Sequence, residues 1–231
     1  MIKNLFYKIR IWHDIFIKNN FFFKSKNYSS EDNILNKILK NTKKGFYVDV
    51  GCNHPTRNNN TFFLYKMGWN GINIDINKFS IDLFNLIRPR DINVRSLISN
   101  NNKLIKFYYQ KEFSVLNTTN KNIAKKHFNT VYKTKVIKPT TLNQVLERFK
   151  CKNKQINFFN IDVEGAELKV LKSINFKVYK PKVICLEILS AHYSKNKINN
   201  LTKNSVYKYL IKKKYKKIWS CKYFRNHIFT K

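Results

Sequence analysis

The segment FYVDVGCN, residues 46–53, decides the fold class of this chain. It is a short apolar run that carries Asp49 and breaks at Gly51. A buried parallel strand has this pattern where a ligand-binding loop follows its carboxyl end. A second segment, GINID at residues 71–75, also ends in a carboxylate, Asp75. Nucleotide-binding α/β folds place a carboxylate there to accept hydrogen bonds from ribose hydroxyls. The two segments together predict a site for an adenosine-containing cofactor.

Segments of strand-type and helix-type sequence alternate from residue 31 to the C-terminus. The apolar pattern predicts strands at residues 46–50, 72–75, 92–97, 104–109, 156–162 and 183–188, with two short strands around Ile218 and Ile228. Helices are predicted at residues 31–39, 62–67, 79–87, 141–149, 166–173 and 206–213. This order predicts one α/β domain over residues 31–231, with a mostly parallel, doubly wound sheet and an antiparallel C-terminal strand. The polar stretch 111–135 has no clear period and is predicted to be a lid or substrate loop.

The composition is that of a folded but strongly basic protein. Of the 231 residues, 43% are hydrophobic and 15% aromatic, which is enough for a sizeable core. The 46 Lys and Arg residues against 13 Asp and Glu residues give a formal net charge of +33. Two explanations of this charge stay open: compositional drift toward Lys and Asn, or a surface that attracts a polyanion such as nucleic acid or anionic lipid.

Cysteine usage and hydropathy indicate a reducing, aqueous compartment. Cys52, Cys151, Cys185 and Cys221 lack the paired spacing of a metal site and are predicted to be free thiols. No apolar run has the length of a membrane span, and polar residues interrupt the N-terminal apolar positions, unlike those of a signal peptide. We therefore expect a cytoplasmic protein.

Residues 1–30 are predicted to be a basic, amphipathic N-terminal appendage. Apolar residues recur there at helical spacing, at Ile2, Leu5, Phe6, Ile9, Trp12, Ile15 and Phe16. Basic residues occupy many of the other positions, at Lys3, Lys8, Arg10 and Lys18. Such a helix fits an anionic membrane surface, which would make the protein peripheral at the membrane. The alternative is a helix that packs its aromatic stripe on the main domain.

Three predicted strands end in carboxylates, at Asp49, Asp75 and Asp162. The carboxyl ends of parallel strands share one edge of a sheet, where ligands bind. Asp162 is followed at once by Glu164 and Glu167 in the segment NIDVEGAE, residues 160–167. Acidic residues are few in this chain, so a cluster of them at the mouth of one cleft is expected to have a functional role. Glu167 could instead stabilise a helix N-terminus.

The chain resembles the FkbM-type methyltransferases, which are S-adenosylmethionine-dependent enzymes with a class I, Rossmann-like fold. The resemblance rests on the strings YVDVGCN, GINIDIN, FFNIDVEGAELKVLKS and PKVICLEI, and it runs over residues 45–187. Its most specific element is IDVEGAE at residues 161–167, with Leu171 after it. General Rossmann proteins do not share that element.

The resemblance implies roles for individual residues. Asp49, Gly51, Cys52 and Asn53 would shape the cofactor loop, with Asp49 also near the amino group of the methionine moiety. Asp75 would hold the ribose hydroxyls, and Ser96 and Leu97 would lie near the adenine. Asp162 would face the methionine end of the cofactor. The chain lacks the second and third glycines of a dinucleotide loop, which argues against NAD because S-adenosylmethionine has no phosphate to approach.

Methyl transfer to a hydroxyl requires alignment of the acceptor oxygen and removal of its proton. The candidate bases are Glu164, which we prefer, and His54 in the cofactor loop, while Glu167 and His192 are candidate substrate-binding residues. His192 also follows a strand at the correct edge and is a third possible base. A loop histidine bonded to backbone is the ordinary alternative for His54. A metal held by Asp162, Glu164 and Glu187 is conceivable, but Glu187 could equally pair with a lysine, and no metal is assigned.

The sequence favours an O-methyltransferase acting on a small-molecule or glycan hydroxyl. Under that interpretation the N-terminal helix would hold the enzyme beside lipid-linked sugars. An RNA or DNA methyltransferase is the alternative suggested by the charge of +33, although DVEG at residues 162–165 stands where amino-methylating enzymes carry an Asp/Asn-Pro-Pro-Tyr/Phe motif. A third possibility is a non-catalytic, polyanion-binding protein on the same fold.

Overall fold

The computed structural model describes residues 2–18, 30–111, 114, 116–129, 131–188, 201–221 and 225–231. Nine strands are described: β1 (Phe46–Val50), β2 (Asn70–Asp75), β3 (Ile92–Arg95), β4 (Ile105–Tyr109), β5 (Lys133–Ile137), β6 (Ile156–Ile161), β7 (Val183–Glu187), β8 (Lys216–Ser220) and β9 (Asn226–Thr230). The helices of that same part of the chain are α1 (Ile2–Trp12), which continues as a π-helical turn (His13–Lys18), α2 (Ser30–Leu39), α3 (Phe62–Lys66), α4 (Lys78–Ile87), α5 (Lys121–Phe128), α6 (Leu142–Arg148), α7 (Glu167–Lys172) and α8 (Ser205–Lys212).

The main sheet has seven strands in the order β3-β2-β1-β6-β7-β9-β8. The first five strands of this order are parallel, and β9 pairs antiparallel with both β7 and β8. The mixed α/β architecture and the mostly parallel sheet confirm the predicted Rossmann-like fold with an antiparallel C-terminal strand. Strands β2 and β3 lie on one side of β1 in the sheet, and β6 lies on its other side. Such a reversal of strand order opens a crevice at the carboxyl ends of the strands.

Side chains of the central strands alternate between two hydrophobic cores. On one face Val48 and Val50 of β1 pack with helices α6, α7 and α8. On the other face Tyr47 packs with Leu35 and Leu39 of α2 and with helix α3. The sheet is therefore covered on both faces, as a doubly wound fold requires.

Residues 111–135 are more structured than the sequence predicts. They contain α5 and the first residues of β5, and β5 pairs antiparallel with β4 in a separate two-stranded sheet. The predicted strand 104–109 therefore exists but lies outside the main sheet. Lysines break the apolar pattern of β5, whose residues are all at least partly exposed, so a pattern search finds no strand there.

Helix α1 packs on the domain through one of its faces. Tyr7, Ile11 and Ile15 contact Phe79 and Leu83 of α4. The Tyr7 hydroxyl also donates a hydrogen bond to Asp82 Oδ2 (2.6 Å). Packing on the domain, one of the two alternatives for the N-terminal segment, is thus observed, and the outward face of the helix is considered below. No helix in the described ranges is long and apolar enough to cross a bilayer.

Candidate functional site

A cleft of about 880 Å³ lies at the carboxyl ends of β1, β2, β3 and β6. Most of the residues predicted for the cofactor or the acceptor line it: Gly51, Asn53, Asp75, Ser96, Leu97, Asp162 and Glu164. The apolar side chains of Ile76, Leu97 and Ile98 lie beside the polar ones. Ligand clefts have this mixture of apolar walls with a few placed polar groups.

Gly51 allows the three central strands to meet at the bottom of the cleft. Its φ is +83°, and a Cβ atom there would lie 1.8 Å from the carbonyl oxygen of Asp162. The Gly51 amide donates to Ile74 O (2.8 Å), and the Asp162 amide donates to Val50 O (2.9 Å). Only glycine fits this close approach.

Asp75 sits at the end of β2 with both carboxylate oxygens facing backbone amides. Oδ2 accepts from Asn53 N (3.0 Å) and Oδ1 accepts from Asn77 N (2.7 Å). Burial raises the pKa of Asp75 to about 6, partly offset by these hydrogen bonds. Each carboxylate oxygen accepts about two hydrogen bonds, so Asp75 has acceptor capacity left for a ligand hydroxyl while it holds the loop that follows β1.

Asp49 does not line the cleft. Its side chain is fully buried, and it accepts hydrogen bonds from Asn160 Nδ2 (2.9 Å), Thr61 Oγ1 (2.9 Å) and Asn59 Nδ2 (3.3 Å). Burial raises its pKa, against these hydrogen bonds. Asp49 therefore supports the loop after β1 from beneath, through Asn59 and Thr61 at the far end of that loop.

Arg88 completes this support, and sequence inspection gave it no role. It is fully buried and donates to Asp91 Oδ2 (2.8 Å), the Tyr47 hydroxyl (2.5 Å) and Thr61 Oγ1 (3.0 Å). It also donates to the loop itself, at Asn59 Oδ1 (3.0 Å). Arg88 precedes Pro89 at the end of a helix, a position where an arginine is expected to be exposed. Its buried ion pair with Asp91 is evident only in the fold.

Three carboxylates meet beside the cleft: Asp162, Glu164 and Glu187. One oxygen from each lies within 4.8 Å of the others. Arg225, placed by the pairing of β7 with β9, hydrogen bonds to Glu187 Oε1 through Nε and lies 3.8 Å from Glu164 Oε1 through Nη2. Arg225 is therefore a counter-ion within this acidic group. Glu164 Oε2 and Glu187 Oε2 are buried and have no hydrogen-bond partner among the described residues.

The pKa values of these carboxylates are raised. Burial raises the pKa of Glu164 to about 7, and the negative charge of Asp162 adds to the effect. Burial also raises the pKa of Glu187 to about 7, against its hydrogen bond with Arg225. Desolvation and the charge of Glu187 raise the pKa of Asp162, whose side chain opens onto the cleft. With pKa values of about 7, Glu164 and Glu187 are each partly protonated at neutral pH.

Glu164 occupies a strained backbone position above the cleft. Its φ is +48°, and Gly165 follows at +90°. The turn is held by a hydrogen bond from Thr118 Oγ1 to Glu164 O (2.7 Å) and by contact between Gly165 and Ile123 of α5. Residues of the 111–135 segment, Ser114, Asn117, Thr118 and Thr119, line the cleft beside it. Non-glycine residues in this region of φ cost of order 1–3 kcal/mol and cluster at functional sites.

The structure places Cys52 and Glu167 away from the cleft lining. Cys52 is buried against Ile81 and Phe84. Glu167 is buried, and its Oε1 accepts from Gly165 N (2.7 Å), so it stabilises the turn that carries Glu164. His192 lies outside the described residues.

His54 is turned toward the N-terminal segment. Its Nδ1 accepts from the Arg57 amide (3.0 Å), and its Nε2 lies 3.0 Å from Asp14 Oδ1. Burial and the charge of Arg57 lower the pKa of His54 to about 4, so the ring is neutral at physiological pH. A neutral ring whose acceptor nitrogen is occupied by backbone donors, with Nε2 directed at a carboxylate, has no free lone pair for an acceptor hydroxyl.

The cleft has the opposite charge to the rest of the molecule. None of its described lining residues is Lys or Arg, and three of them, Asp75, Asp162 and Glu164, are carboxylates. The full chain has a net charge of +33. The cleft is thus suited to a cationic or neutral ligand and poorly suited to a phosphate.

A comparison with protein-family models identifies the domain that carries this cleft. The model of the methyltransferase FkbM domain matches residues 49–221, about three quarters of the chain. The chain belongs to the FkbM methyltransferase family. No curated protein and no solved structure matches it. The matched range begins at Asp49 and includes β2, β3, β6, β7 and the segment 111–135, so it covers every described residue that lines the cleft.

Family membership makes the protein a methyltransferase in the general sense. FkbM methyltransferases generally use S-adenosylmethionine. The family model spans Asp75, Asp162 and Glu164, the three acids of the cleft.

Proposed function

We propose that this FkbM methyltransferase uses S-adenosylmethionine to methylate a hydroxyl group of a small molecule or glycan, with Glu164 as the general base. The observation that supports it most directly is the acidic cleft at the carboxyl ends of β1, β2, β3 and β6. The cofactor, when bound, supplies an electrophilic methyl group on a positively charged sulfur. The residues of the cleft bind it, orient the acceptor and remove the acceptor's proton.

The cleft residues fit S-adenosylmethionine. Asp75, at the end of β2, has acceptor capacity for the ribose hydroxyls. Leu97 and Ile98, after β3, provide an apolar wall of the kind that an adenine ring requires. The carboxylate of Asp162 suits the positive charges of the sulfonium and amino groups. The approach at Gly51 brings backbone close to the ligand space without the repeated glycines that a pyrophosphate demands.

Glu164 is the described lining residue best suited to take the acceptor's proton. It lines the cleft, its Oε2 accepts no hydrogen bond from the described residues, and its pKa is raised to about 7. A base whose pKa lies near the working pH combines a useful ionised fraction with adequate basicity. Arg225 lies near Glu164 Oε1 and holds the neighbouring carboxylate of Glu187.

The same cleft argues for a neutral hydroxyl acceptor over nucleic acid. A phosphodiester backbone next to Asp162 and Glu164 would be repelled, since no Lys or Arg of the described residues lines the cleft. A sugar or small-molecule hydroxyl carries no such charge. The net charge of +33 can bind polyanions elsewhere on the surface, so methyl incorporation, and not nucleic-acid binding, distinguishes the two acceptors.

The test is methyl transfer from radiolabelled S-adenosylmethionine to panels of glycans, hydroxylated small molecules and RNA, with wild-type protein and Glu164→Gln. We expect label on a hydroxyl acceptor and a loss of kcat of about 10²–10⁴-fold in Glu164→Gln, the usual contribution of a general base. The affinity of Glu164→Gln for S-adenosylhomocysteine should be close to that of the wild type. An intact cofactor affinity shows that the variant has lost the base and not the binding site.

Glu147→Gln is the matched control, because Glu147 is an exposed carboxylate on α6 that does not line the cleft. It should retain wild-type turnover. Incorporation of label into RNA alone would contradict the choice of acceptor. Full turnover by Glu164→Gln would contradict the role of Glu164.

A further inference from the structure

Helix α1 presents a second apolar face that the domain does not cover. Tyr7 and Ile11 face the domain, and Ile15 of the following turn is buried there. The side chains of Leu5, Phe6, Ile9, Trp12 and Phe16 are exposed, with Phe6 66% and Trp12 54% accessible. Because about 3.6 residues make one turn, Leu5, Ile9 and Trp12 lie opposite Tyr7 and Ile11. Five large apolar side chains on one short segment form a patch rather than scattered exposure.

The inward face is already fully used for docking, so the outward face is not required for it. The Tyr7 ring packs edge-on against Phe79 at 6.0 Å between centroids, and its hydroxyl is bonded to Asp82. Asp14 on the following turn accepts from Arg57 Nη2 (2.5 Å) and lies 3.0 Å from His54 Nε2. Contacts at Tyr7 and Asp14 hold this helical segment on the domain, and its exposed aromatic side chains face outward. This orientation suits a partner outside the chain.

We propose that the outward face of α1 and its π-helical turn docks the protein on an anionic membrane surface. The chemistry of the face favours lipid: Trp12 and Phe16 form an aromatic pair with centroids 5.8 Å apart, and Trp and Phe are favoured at the boundary of headgroup and acyl chain. Lys8 and Arg10 are exposed on the same helix. The chain carries a net charge of +33, so attraction to acidic headgroups adds to apolar burial.

A second copy of the chain fits this face less well. Two copies with a charge of +33 each repel one another, whereas a surface of acidic lipid attracts each of them. The proposal is independent of the proposed function, because it uses no cleft residue. The two regions do adjoin: Asn53 lines the cleft, and the next residue, His54, contacts Asp14 beside the docked helix.

The test is sedimentation of the full chain with vesicles of phosphatidylcholine alone or of phosphatidylcholine mixed with phosphatidylglycerol. We expect binding to the acidic vesicles at least about tenfold tighter than to the neutral ones, weakening with salt. The double variant Phe6→Ser/Trp12→Ser should lose at least about tenfold in binding, since it removes two exposed apolar anchors. Trp12 is the only exposed tryptophan of the three, so its fluorescence should shift to shorter wavelength on binding.

The matched control is Leu104→Ser/Val136→Ser, which removes two side chains of similar exposure, 69% and 62%, from another part of the surface. It should bind as the wild type does. Equal binding to both vesicle types, or no vesicle binding, overturns the proposal. So does equal loss in the two double variants. A dimer in solution that only Phe6→Ser/Trp12→Ser abolishes would make a second copy of the chain the partner instead.

Discussion

At the scale of single residues, the fold has separated acids that look alike in sequence. Asp49 and Asp75 both end strands, yet Asp49 is fully buried under the loop while Asp75 opens onto the cleft. Glu164 and Glu167 are three residues apart, but Glu164 lines the cleft and Glu167 bonds to the Gly165 amide. The difference arises from backbone direction at each position, which local sequence does not specify.

The buried acids should make stability depend on pH. Burial raises the pKa of Glu167 to about 8, above its ordinary value near 4.5. The folded state therefore keeps a proton that the unfolded state has lost, and the free energy of unfolding falls as pH rises toward 8. Between pH 6.5 and 8 we expect a loss of roughly 1–2 kcal/mol from Glu167, measured by urea unfolding.

Glu167→Gln should reduce this slope, because glutamine keeps an oxygen for the Gly165 amide and does not ionise. His54, whose pKa is lowered to about 4, has the opposite effect, which lies mostly below pH 6.5. The unfolded state takes up a proton there as pH falls through about 6.5, so His54 destabilises the fold as pH falls. A wild-type protein as stable at pH 8 as at 6.5 would contradict the raised pKa of Glu167.

At the scale of elements, the N-terminal helical segment and the loop after β1 are joined by the carboxylate of Asp14. Asp14 contacts both Arg57 and His54, which belong to the loop after β1. The side chains of Asp14 and Arg57 are each only 14% exposed, so the ion pair between them is partly protected from solvent screening. The placement of helix α1 should therefore depend on Asp14.

We expect Asp14→Asn to loosen the helix without unfolding the domain. It removes the charge that Arg57 and His54 contact, and a hydrogen bond to a charged group contributes about 1.5–3 kcal/mol. Limited proteolysis should remove residues 1–18 about tenfold faster, while the melting temperature of the remaining domain stays close to that of the wild type. Glu147→Gln, which changes an exposed carboxylate on α6, is the control and should be cleaved at the wild-type rate. Equal cleavage of Asp14→Asn and wild type would show that the contact does not hold the helix.

The elements that sequence predicted are those with a strong local pattern. Strands β1, β6 and β7 are rich in apolar residues and buried along their whole length, and β2 carries Ile72 and Ile74 in its buried centre. Thr141 and Gln144 form a capping box where α6 begins. Strand β5 was not predicted because its pairing with β4 is a non-local contact and its sequence, KTKVI, carries two lysines. The partners of His54 and Glu187 could not be predicted either, since Asp14 and Arg225 lie 40 and 38 residues away along the chain.

At the scale of the whole molecule, charge is divided between regions. The net charge of +33 belongs to the full chain, while the described lining of the cleft has carboxylates and no Lys or Arg. The exposed apolar face of α1 lies on a docked helix that adjoins the cofactor loop. This division of charge is consistent with the two proposals, docking on an acidic surface and binding of a cationic cofactor in the acidic cleft.

The most direct test of the account is calorimetric titration of the purified protein with S-adenosylhomocysteine, alongside Asp75→Ala, Asp75→Asn and the control Glu147→Ala. We predict micromolar binding by wild type and control, roughly −8 kcal/mol, and binding at least about tenfold weaker in Asp75→Ala. Asp75→Asn retains one acceptor oxygen, so its affinity should lie between those of the wild type and Asp75→Ala. Absence of binding by folded wild-type protein, or wild-type affinity in a folded Asp75→Ala variant, would contradict the assignment of the cleft as the cofactor site.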